Sequence, residues 1–97
     1  MEPLECQNLI DIRNEIDTLD QNIILLIGKR FEYVKAATNF KKSEKGVRAP
    51  DRFMTMLKQR RTWAEQSGLN PDVIEKMYTD LVNYFIAEEL KHWKDKP

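Results

Sequence analysis

The sequence predicts an all-α protein, and three observations carry that expectation. Apolar residues recur at spacings of three and four through most of the chain, and no stretch alternates as a half-buried strand would. Two segments open with proline after a break, at Pro50 and Pro71, where proline suits the first turn of a helix. The chain has only 3 glycines and 4 prolines, so long helical stretches run without a breaker. With 97 residues, 41% hydrophobic and 33% charged, it suits one domain over residues 1–97 with a modest core.

The first helix is the longest. Asn8 or Asp11 can cap its start, and its seam reads Ile12, Ile16, Leu19, Ile23, Leu26, Arg30, Tyr33, Ala37 and Phe40, which carries it to about Phe40 or Lys42. Residues 42–49 then break the period with a flexible, charged, Gly46-containing stretch. A second helix spans about Pro50 to Gln66, with Phe53, Met56, Leu57 and Trp63 for its buried side, and Ser67-Gly68 stops it. Asn70 caps a third helix that Pro71 opens. This one carries Ile74, Met77, Tyr78, Leu81, Val82, Phe85, Ile86 and Leu90 to about Lys94.

The unequal lengths imply a partner. A helix over residues 9–41 would be a rod of roughly 50 Å, whereas a compact chain of this size is only about 32 Å across. Its apolar seam would overhang a single-chain core, and an intertwined homodimer is the simplest closed solution.

Several functional classes are disfavoured. The longest aliphatic run, Ile23 to Ile27, is far short of a membrane span, and the acidic start (Met1, Glu2, Pro3) has no signal pattern, so the cytoplasm is expected. Cys6 and His92 are each the sole residue of their kind, which speaks against a disulfide or a metal centre. Net charge is zero but uneven: residues 29–61 carry eleven cations and three anions, between two acidic flanks. Because aromatics are not interleaved with that basic block, a compact anion fits it better than nucleic acid.

The basic block contains the anomaly that raises the functional question. Arg30 interrupts an apolar seam, and a guanidinium there requires a negative partner, either a protein carboxylate or an anionic ligand. Lys41, 11 residues on, would share its face about 16 Å along a continuous helix. Arg13 lies about 25 Å before Arg30, out of reach within one chain but available from an antiparallel partner. The stripe Tyr78, Val82, Ile86, Glu89 and Trp93 turns Glu89 inward and Glu88 away. Arg52 falls in the first turn of the second helix, where a cation is disfavoured unless an anion is near. The plainer alternatives stand beside these: a structural Arg30–Glu89 pair, solvated Lys41 and Arg52, and a stripe that is only core. Periodicity alone leaves an enzyme and a helical interaction module level.

The sequence resembles the all-helical chorismate mutase family over nearly its whole length, and within it the isochorismate pyruvate lyase branch. The residues that carry the resemblance are Asp11-Ile12-Arg13 with Ile16-Asp17 and Asp20, Gly28-Lys29-Arg30, Tyr33-Val34-Lys35-Ala36-Ala37, Phe40-Lys41 with Ser43-Glu44, Ala49-Pro50-Asp51-Arg52, Trp63-Ala64-Glu65 with Gly68-Leu69, and Ile86-Ala87-Glu88. The resemblance implies the chorismate mutase type II fold, an intertwined homodimer, and a small dicarboxylate substrate, isochorismate or chorismate. It implies that Arg30 and the partner's Arg13 bind the two carboxylates with Arg52, and that Lys41 meets the ether oxygen. Ala37, Met56 and Ile86 would form apolar walls. The implied reactions are pericyclic and need no metal or cofactor: isochorismate to salicylate and pyruvate, with chorismate mutase activity as a secondary reaction or as the main alternative. A non-enzymatic helical dimer is the remaining alternative.

One position departs from that pattern. Glu89 stands where bacterial members commonly have glutamine, and a carboxyl can donate to the ether oxygen only when protonated. Activity favouring acidic pH is therefore expected.

Overall fold

A computed structural model describes residues 1–94, and they divide into two compact units, the first from Met1 to Tyr33 and the second from Val34 onward. Among the described residues every regular element is helical: a 3₁₀ turn at Pro3–Glu5, α1 over Leu9–Ala37, a 3₁₀ turn at Thr38–Phe40, α2 over Glu44–Arg48, α3 over Pro50–Gln66 and α4 over Pro71–Lys94.

The first unit holds most of α1, whose last residues, 34–37, belong to the second. Asn8 is its cap: the Asn8 Oδ1 accepts from the Asp11 N–H at 2.8 Å, while Asp11 Oδ2 accepts from the Gln7 N–H at 3.1 Å. Its 29 residues make a rod of about 44 Å. None of them is buried, and the seam is open along its length, with Ile16 at 49%, Ile23 at 52% and Leu26 at 62% exposure. The apolar part of the stripe, from Ile12 to Leu26, is therefore exposed.

The helix ends sooner than its apolar period suggests. After Ala37 the chain tightens into the 3₁₀ turn, and Lys41 is extended at φ −96°, ψ 132°. Thr38, completely buried, donates its hydroxyl to the Lys35 carbonyl at 2.6 Å, occupying one of the helix's last acceptors. The α-helical register therefore does not reach Lys41, and the expectation of one continuous face from Arg30 to Lys41 is corrected.

The second unit is built on the α3–α4 hairpin. The Leu69 N–H reaches the Ala64 carbonyl at 2.8 Å and the Gly68 N–H reaches Glu65 at 3.1 Å, a Schellman stop with Gly68 at φ 73°. Asn70 Oδ1 accepts from the Asp72 N–H at 2.9 Å to start α4. Arg61 on α3 donates to Asp72 at 2.8 Å and Glu75 at 2.9 Å on α4. The hydrogen bond to Asp72 is the main cause that raises the guanidinium's pKa further, which keeps the charge fixed. Met56 and Ala64 of α3, Phe85 and Ile86 of α4 and Val47 of α2 are the buried apolar side chains. Trp63, expected on the buried side, is instead 47% exposed: Arg60 lies 4.7 Å from its ring and 5.6 Å from that of Tyr78, so the guanidinium occupies the space between.

The stretch expected to break the period over residues 42–49 contains α2. Ser43 Oγ accepts from the Gly46 N–H at 3.0 Å and caps this single turn, while Ala49 closes it in the left-handed conformation at φ 41°, ψ 62°.

Candidate active site

The fold brings Lys41 and Glu89 together. Glu89 is 5% exposed on the inner side of α4, and its Oε2 lies 2.7 Å from Lys41 Nζ. That distance is short for an ammonium and a carboxylate, and the pair is shielded from water on the Glu89 side. Neighbouring Glu88 points outward and pairs with Lys91 at 3.4 Å. The inward stripe on α4 therefore contains one acid among apolar residues, as the spacing predicts.

Two of the three expected apolar walls are also in this unit and buried, Met56 at 3% and Ile86 at 8% exposure. Ala37, the third, is half-buried at the end of α1. Arg52 is exposed in the first turn of α3, and it lines an open depression with Ser43, Lys45, Gly46, Ala49, Pro50 and Asp51. Its lining combines two cations, Lys45 and Arg52, with one anion, Asp51. Arg13 and Arg30 stand on the α1 rod of the first unit, Arg13 exposed and Arg30 half-buried. Seventeen residues separate them, about 25 Å along the axis, so one small molecule cannot bridge both on the same helix.

Two contributors, named in the sequence only within a motif and a stripe, had no role of their own there. Ser43 caps α2. Trp93 donates its indole N–H to the Lys41 carbonyl at 3.3 Å. A signal for the second existed, since Glu89 and Trp93 are four residues apart on the same stripe; what the spacing lacked was the location of Lys41.

Among the described residues no group of three His, Cys, Asp or Glu side chains is placed to hold a metal ion, and no helix is long and apolar enough to cross a membrane. Within the second unit, then, a buried carboxylate is met by the Lys41 ammonium, and the buried apolar side chains of Met56 and Ile86 belong to the same unit.

The chorismate mutase type II family model matches residues 12–90, and the chain belongs to that family. The chain is 41% identical over 92 residues to the isochorismate pyruvate lyase of Pseudomonas aeruginosa, covering 95% of this chain and 91% of that one. It is also 38% identical over 81 residues to the T-protein of Haemophilus influenzae and 39% identical over 90 residues to that of Enterobacter agglomerans. Those matches take in 20% and 23% of the T-proteins' own lengths, so the chain corresponds to a fraction of each.

Proposed function

We propose that the protein is an isochorismate pyruvate lyase, forming salicylate and pyruvate, with secondary chorismate mutase activity. The observation that carries this choice is the likeness to a lyase of nearly equal extent, at 41% identity across 95% of the chain. The T-protein matches favour the mutase as the second reading.

The chemistry suits the residues. In the lyase reaction a ring hydrogen passes to the enolpyruvyl methylene carbon while the bond between the ring and the ether oxygen breaks. The ring becomes aromatic, and the released fragment is pyruvate. Negative charge grows on the ether oxygen, so a fixed cation there stabilises the transition state more than the ground state. Lys41 fills that role: its ammonium has three donors, so it can hold Glu89 and still direct an N–H at the oxygen. The mutase rearrangement breaks the corresponding bond and makes the same demand. Neither needs a protein base or nucleophile, and orientation of the enolpyruvyl arm supplies the rest.

Substrate capture is assigned to arginines, whose planar forks suit carboxylates. Arg30 and Arg52 act with Arg13 of a second chain, Met56, Ile86 and Ala37 wall the ring, and residues 42–49 cover it. The working unit is accordingly an intertwined homodimer of single-domain chains in the cytoplasm. Its support is the open seam of α1, where Ile12, Ile16, Leu19, Ile23 and Leu26 are all between 41% and 62% exposed, too much contiguous apolar surface to leave in water. Glu89 is assigned the second donor to the ether oxygen when protonated; as a carboxylate it instead offsets the charge of Lys41.

Incubating the protein with isochorismate and, separately, with chorismate tests the reading. Salicylate and pyruvate formation from isochorismate, faster than prephenate formation from chorismate, is expected. Prephenate as the faster product would transfer the assignment to the mutase, and no product above the uncatalysed rate would leave a non-enzymatic helical dimer.

A further inference from the structure

Lys41 is held at two points by one turn of α4. Its ammonium lies 2.7 Å from Glu89 Oε2, and its carbonyl accepts from Trp93 Nε1 at 3.3 Å. Glu89 and Trp93 are four residues apart, so a single face of α4 grips both the side chain and the backbone of this residue.

The backbone grip matters because of where Lys41 sits. It follows the 3₁₀ turn in extended conformation, its N–H bonded to the Thr38 carbonyl at 3.3 Å, and two residues later Ser43 caps α2. Upstream, the buried Thr38 anchors the turn; downstream, the chain enters α2. No helical ladder continues through Lys41, and the Trp93 indole is the side chain that fixes its carbonyl.

We propose that Trp93 is a positioning residue for Lys41, its indole N–H setting the backbone from which the ammonium is aimed at the breaking bond. This rests on the reading of Lys41 as the transition-state cation. Trp93 acts through Lys41 and needs no contact with the reacting atoms. Since the cation acts chiefly on charge that develops during reaction, loosening its backbone lowers kcat more than it raises KM.

Trp93→Phe keeps an aromatic ring on α4 and removes the donor. Its kcat with isochorismate is expected to fall about fivefold to tenfold, with KM within about twofold, as for one lost neutral hydrogen bond. In a Lys41→Ala background the same change is expected to alter kcat by less than about twofold, because the group it positions is gone. Equal losses in the two backgrounds would show a general packing role and overturn the proposal, as would full kcat in Trp93→Phe beside a Lys41→Ala variant that is about 100-fold slower. A Lys41→Ala variant that keeps its rate would overturn the Lys41 assignment itself and the proposal with it. In the unsubstituted protein, NMR is expected to show the Trp93 indole N–H exchanging with solvent at least about tenfold more slowly than that of Trp63. Equal exchange would count against the hydrogen bond however the variants fold.

Discussion

Replacing Ile23 by glutamate strikes the middle of the α1 seam and tests the dimer. Ile23 is 52% exposed in the single chain, so about half of its surface remains for a partner to cover. Full burial of such a side chain stabilises by about 2 kcal/mol, and the partner's share is therefore about 1 kcal/mol. A carboxylate put in its place, between Leu19 at 59% and Leu26 at 62% exposure, would add a desolvation cost of about 2–3 kcal/mol. A two-fold dimer suffers the change twice, for a total of about 6–8 kcal/mol, or four to six decades in Kd. Glutamate is at least as good a helix former as isoleucine, so helix propensity does not account for the loss. Sedimentation over nanomolar to micromolar concentrations is the assay. The unsubstituted chain is expected to be dimeric at micromolar concentration and Ile23→Glu monomeric. A wild-type monomer at tens of micromolar, or the same dimer fraction in both proteins, would refute the assignment of the seam to a second copy.

Two further predictions concern the chemistry. Lys41→Ala is expected to lower kcat/KM for isochorismate by at least about 100-fold while far-UV circular dichroism stays helical; a drop below about tenfold would contradict its role at the ether oxygen. Because a carboxyl at position 89 can donate to the ether oxygen only as the neutral acid, wild-type kcat/KM is expected to be higher in acid than at neutral pH, whereas Glu89→Gln, whose amide donates at every pH, is expected to give a flatter profile. Identical flat profiles in both proteins would remove Glu89 from the mechanism.

What the sequence revealed of the fold follows local chemistry. The bounds of α3 and the start of α4 were legible because Pro50, Ser67-Gly68 and Asn70-Pro71 each act through their own backbone, and the Schellman stop and Asn70 cap appear where those residues stand. The end of α1 was not, because the apolar period continues to Phe40 while the backbone tightens at Thr38, and periodicity cannot distinguish those windings. The five-residue α2 is too short to show a period, leaving only the Ser43 cap as a signal. In the site, spacing along α4 was enough to turn Glu89 inward. Its pairing with Lys41 spans 48 residues and depends on how the chain leaves α1, which no local pattern encodes. Trp63 shows the converse: its position in the helical period suits burial, but the neighbouring Arg60 occupies the space beside its ring.

The proposed dicarboxylate pocket uses Arg13 of one chain with Arg30 and Lys41 of the other, and mixing two inactive variants tests it most directly. Arg13→Ala and Arg30→Ala chains, each nearly inactive alone, are unfolded together in equal amounts and refolded, and salicylate release from isochorismate is measured. In a two-fold dimer half of the products are mixed pairs, each with one pocket carrying both substitutions and one carrying neither, so about a quarter of wild-type activity is expected to return. Activity no higher than that of the separate variants, with mixed dimers verified by mass, would contradict a pocket shared between chains.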